Sequence, residues 1–68
     1  MNHSYELFDD YSFLELCAAL ENGKELVISQ YGGNRMGKLI SIKTHGSNRF
    51  LLEFYVGSSS VHVVWDNV

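Results

Sequence analysis

Apolar and polar residues change rhythm once along this chain. Phe13, Leu16, Cys17 and Leu20 stand at i, i+3, i+4 and i+7, the spacing of one helical face. Ser12-Phe13-Leu14-Glu15 in front of them reads as a capping box, in which Ser12 accepts from the backbone of residue 15 and Glu15 reaches back. Asp9 and Asp10 suit the positive end of such a helix, and Asn22-Gly23 supplies its stop. The pattern therefore predicts a helix over about residues 11–22.

Beyond Gly23 the period shortens to two. Strands are expected at about 25–31, 36–44, 49–56 and 61–66, separated by the turn signals Gly32-Gly33-Asn34, His45-Gly46-Ser47-Asn48 and Gly57-Ser58-Ser59-Ser60. Phe50, Leu52, Phe54 and Val56 share one face of their strand. Val61, Val63 and Trp65 share one face of the next, opposite His62 and Val64. In the second strand the pattern puts Lys38, Ile40 and Ile42 on one side. Gly37 falls inside that strand and reads as a bulge or sharp bend. The expected fold is α+β but mainly β: one domain over 1–68, with an N-terminal helix packed across the open end of a strongly bent antiparallel meander of four to five strands. A flat sheet with the helix on its face is the alternative.

Length and composition narrow what such a domain can do. A chain of 68 residues, 46% of them hydrophobic, is globular rather than disordered, but its small core leaves little room for a deep enclosed pocket. A single cysteine excludes an internal disulfide framework and favours a reducing compartment. Met1 to Asp10 has no basic start and no apolar run, so no signal peptide is expected there. The longest apolar run, Leu16–Leu20, is far too short to span a bilayer. A cytoplasmic protein is the expectation.

Chemistry is hard to find. His3, His45 and His62 are far apart, and no Cys/His pair has the spacing of metal ligands. Cys17 sits on the apolar helix face, where a buried thiol is the plain reading. Gly32-Gly33 lacks the Lys-Ser/Thr of a phosphate-binding loop. Adjacent Asp9 and Asp10 point apart and make no acid/base pair. No enzyme, no metal, no cofactor and no small-molecule substrate are expected.

Charge points instead to a macromolecular partner. Residues 1–25 carry six carboxylates, Glu6, Asp9, Asp10, Glu15, Glu21 and Glu25, against Lys24, a net of −5. Residues 26–68 carry Arg35, Lys38, Lys43 and Arg49 against Glu53 and Asp66, a net of +2. Two surfaces follow. One is acidic and aromatic, Asp9, Asp10, Tyr11 and Glu15; capping a helix requires one or two of these groups but not Tyr11. The other is basic, Arg35, Lys38, Lys43, His45 and Arg49 along one hairpin, either a track for a phosphate backbone or ordinary charge that keeps strand edges from aggregating.

The segment Asp9-Asp10-Tyr11-Ser12-Phe13-Leu14-Glu15-Leu16 resembles the opening of the Rof family, also called YaeO, the Rho-binding antiterminators, in which an acidic Asp-Asp-Tyr step leads into a Leu-Glu-Leu helix. Glu25–Ser29, Lys38–Lys43, Phe50–Tyr55 and Val61–Trp65 fall in order where that family has strands, matching in pattern only. The resemblance implies a helix plus an Sm-like bent barrel of five strands. It also implies binding to the transcription termination factor Rho, blocking of its RNA-loading site, and antitermination. Asp9, Asp10, Tyr11 and Glu15 would be the contact residues. The runner-up is an Sm-like RNA-binding module that uses Arg35, Lys43 and Arg49 beside Tyr31 and Tyr55; a small protein inhibitor of another target is the third reading.

Overall fold

A computed structural model describes residues 5–30 and 32–67. Its elements are β1 (Glu6–Leu7), α1 (Phe13–Asn22), β2 (Glu25–Gln30), β3 (Gly33–Thr44), β4 (Arg49–Val56) and β5 (Ser59–Asp66). Consecutive strands pair antiparallel into a single five-stranded sheet in the order β1-β2-β3-β4-β5. The sheet curls so strongly that Tyr5, just before β1, forms a parallel bridge with Val63 of β5. The result is a half-barrel, mainly β, with one short helix, and not a flat sheet.

Local sequence explains the helix. Ser12 is extended, Glu15 donates its backbone N–H to Ser12 Oγ at 3.1 Å, and Ser12 donates its own to Glu15 Oε1 at 2.7 Å. The expected capping box is therefore complete, and the helix begins at Phe13 rather than residue 11. Gly23 ends it in the left-handed conformation at φ 63°, which glycine adopts without strain. Leu16 and Ala19 are buried, Leu20 packs against the core and Cys17 is half-buried. One expectation fails: the helix is not the first element, because β1 precedes it.

The inner face of the sheet supplies the rest of the core: Leu26, Ile28, Leu39, Leu52, Phe54 and Val63. The alternation of β4 and β5 is as expected, with Phe50, Val56, Val61 and Trp65 packed against that core and Val64 exposed. β3 differs. Gly37 makes no bulge; it pairs in register with Leu26. The register slips between Leu39 and Ser41, so Ile40 is the extra residue. A slip of one residue reverses which side chains face inward. Leu39 is thus buried before it and Ile42 packs inward after it, while Lys38, expected to share a face with Ile42, is exposed. Gly37 serves close packing instead: a Cβ there would stand 3.3 Å from both Cβ and Cδ2 of the buried Phe54.

Two of the three turns are tighter than expected. Gln30 pairs with Gly33 and Val56 with Ser59, so β3 starts at Gly33 and β5 at Ser59. Of the expected strand 25–31, Tyr31 lies outside the described residues. No helix among the described residues is long and apolar enough to cross a membrane.

Candidate functional site

The start of α1 is pinned to the far end of β4 and β5 by three aromatic rings. Phe13, the first helical residue, lies 4.9 Å from Phe50 and 6.4 Å from Trp65, centroid to centroid; Phe50 and Trp65 are 5.9 Å apart. Such packing fixes both position and angle of the helix entry. It brings the segment that leads into the helix alongside the end of β5.

Between the two runs an open groove of about 640 Å³. One wall is Glu6, Leu7, Asp9, Asp10, Tyr11 and Ser12; the other is Val63 to Asn67. Asp9 and Asp10 are exposed, and among the described residues neither forms an ion pair. Among the described residues no lysine or arginine lines the groove. Its fourth carboxylate, Asp66, is partnered: Arg49 Nε donates to Asp66 Oδ1 at 2.7 Å. That hydrogen bond, then the charge of Asp66, raises the Arg49 pKa further, so the guanidinium stays charged.

Tyr11 is half-buried, with its ring packed against the core. It forms part of this groove and of a second of about 210 Å³, which Glu15, Ala18, Ala19, Asn22, Lys24 and Leu26 complete. Burial, then the charges of Asp9 and Glu15, push the Tyr11 phenol above its ordinary pKa. Two carboxylates thus flank one phenol, which stays protonated as a hydrogen-bond donor. Glu15 itself is exposed, with one oxygen occupied by the Ser12 amide. The four sequence-derived residues therefore lie together around the helix entry. Phe8 and Leu14, chain neighbours of Asp9 and Glu15, stand 57% and 79% exposed. Glu6 and Trp65 belong to the same groove; nothing local in the sequence marks them, because distant segments meet there.

The basic residues are scattered. Arg35 lines a separate groove with Tyr5, Gln30, Val56, Ser59 and Val61. Lys38 lies over the helix end, its Cε 3.4 Å from where a Gly23 Cβ would stand, and there its charge faces the negative end of the helix dipole. Lys43 is exposed near the other end of β3, eight residues from Arg35 and so roughly 26 Å along the strand. His45 is exposed in the β3–β4 turn, and Arg49 is tied to Asp66. Tyr55 is 51% exposed beside Lys38, and Tyr31 lies outside the described residues. Among the described residues no three His, Cys, Asp or Glu side chains are grouped as metal ligands. Glu53, on the outer face, accepts from Ser41 Oγ at 3.3 Å and lies 4.0 Å from His62 Nε2, a cross-strand row far weaker in geometry than a catalytic one.

Compared with protein-family models, with curated proteins and with solved structures, the chain finds no match.

Proposed function

We propose that this chain is a Rof-like inhibitor of the termination factor Rho, an Sm-like small barrel that docks through its acidic helix entry and keeps RNA from loading. The observation that carries the reading is the groove itself: Asp9, Asp10, Tyr11 and Trp65 line one open surface that, among the described residues, holds no lysine or arginine. A protein that grips RNA offers cations for phosphates and aromatic rings for bases. A rigid surface that presents carboxylates with a phenol and an indole can occupy the same partner groups, and its charge steers the encounter. The Asp-Asp-Tyr…Leu-Glu-Leu segment, which resembles the Rho-binding antiterminators, selects Rho among such partners. Transcription and its termination machinery put such an inhibitor in the cytoplasm. The scattered basic residues give no comparable support to the RNA-binding reading.

The test is capture of purified Rho by the tagged chain and by an Asp10→Lys/Glu15→Lys variant. The native chain is expected to retain Rho in a salt-sensitive manner, and charge reversal to abolish retention. Equal retention by both removes the acidic surface from the interface. No retention of Rho, with the fold intact, leaves an inhibitor of a different basic target as the better reading.

A further inference from the structure

The groove has a wall that charge alone does not use, the outer edge of β5. In an antiparallel ladder each residue turns both backbone groups either toward its partner strand or away from it, alternately. Asn67 donates its amide to Asn48 at 2.7 Å, and β5 continues in register as Asp66↔Arg49 and Val64↔Leu51. Counting back from Asn67, Val64 and Asp66 turn their backbone groups away from β4. That is the side on which Val64, Trp65, Asp66 and Asn67 line the groove. Among the described residues the only strand partner on that side is Tyr5, bridged to Val63. From Glu6 the segment departs to pair with β2 through Ser29 and Ile28. The two segments diverge, and the groove is the gap they leave.

An unpaired strip on the last strand of a curled sheet is a template for one more strand. The opposite wall says what that strand must carry. Glu6, Asp9 and Asp10 face the gap, Asp66 already has Arg49, and no lysine or arginine lies among the described residues that line it. A second copy of β5 would bring its own Asp66 and Val64 rather than free cations.

We propose that the β5 edge from Val64 to Asn67 accepts an extended, lysine- or arginine-bearing segment of a partner protein as a sixth strand. Its backbone pairs with the Val64 carbonyl and with both backbone groups of Asp66, the Val64 N–H being turned to Tyr5, and its cations lie against Glu6, Asp9 and Asp10. This deepens the reading above and rests on it for the partner's identity, not for the binding mode.

The test uses the full chain, labelled with nitrogen-15, and two short peptides alternating lysine and valine, one of them N-methylated on alternate backbone amides. The unmodified peptide is expected to shift the Asp66 amide saturably and slow its hydrogen exchange. N-methylation, which keeps every charge but removes donors, is expected to weaken binding about tenfold. An Asp9→Asn/Asp10→Asn variant is expected to bind the unmodified peptide less tightly. Equal binding of both peptides, or shifts that leave Asp66 unmoved, overturns strand addition; unchanged binding by the variant overturns the basic occupant. Slowing of Asp66 exchange with protein concentration alone assigns the edge to a second copy and also overturns the proposal. Rho capture run alongside separates the two ideas. Rho retained without protection of Asp66 sinks strand addition alone, whereas peptide bound at the edge without Rho capture sinks the Rho reading alone.

Discussion

Single residues carry more of this fold than their size suggests. Gly37 is the clearest case, because its missing side chain is filled by Phe54: the ring's Cβ and Cδ2 lie 3.3 Å from the vacant Cβ position. Phe54 is fully buried and held by strand pairing on both sides, so it has little room to retreat. Gly37→Val is therefore expected to destabilise the chain by about 1–3 kcal/mol, the usual range for overpacking a core. Chemical denaturation checks this, and an unchanged midpoint would contradict it. Tyr11 offers a different test. Its folded pKa is raised above the ordinary 10.0, so the folded chain holds the phenolic proton more tightly than the unfolded chain does. The associated stability is complete below about pH 10 and is lost as pH rises through the folded value. Denaturation of the native chain and of Tyr11→Phe between pH 8 and 11 should show the native chain losing stability relative to the variant above pH 10. Parallel curves would contradict a phenol partly buried beside Asp9 and Glu15.

Elements were legible in proportion to how local their causes are. The helix is written in four adjacent residues, Ser12 to Glu15, and in a glycine that can take φ 63°; both signals act within one turn. Removing the cap by Ser12→Ala is expected to cost about 1 kcal/mol and to fray the first turn, which denaturation and amide exchange at Phe13 to Leu16 would register. No loss would mean that the aromatic anchor at Phe13 holds the helix entry unaided. The strand periodicities of β4 and β5 were equally readable, since Phe50 to Val56 and Val61 to Trp65 alternate without interruption. β1 was not readable: two residues, Glu6 and Leu7, contain no period, and pairing with β2 creates them as a strand. The bulge falls at Ile40 rather than at Gly37, expected to mark a bulge or sharp bend, because register is decided across strands, and the slip lets both Leu39 and Ile42 reach the core. The acidic half of the groove could be read from Asp9, Asp10, Tyr11 and Glu15, whereas Trp65 and Glu6 join it only through folding.

At the scale of the whole molecule, the uneven charge of the sequence becomes an uneven division of labour. Two of the positive groups are occupied, Arg49 by Asp66 and Lys38 over the end of the helix, and Arg35 and Lys43 stand apart from each other on β3. The negative groups Asp9 and Asp10 are left facing an open groove. The half-barrel holds such a surface rigid because the triad of Phe13, Phe50 and Trp65 locks the helix entry to the sheet. The expected consequence is competition with RNA for a basic protein rather than RNA binding. The most direct test is a purified transcription reaction with Rho and a Rho-dependent terminator. Added native chain should raise readthrough in proportion to its concentration, and the Asp10→Lys/Glu15→Lys variant should leave termination intact. Readthrough unchanged by an excess of folded native chain, or raised equally by the variant, would contradict the account.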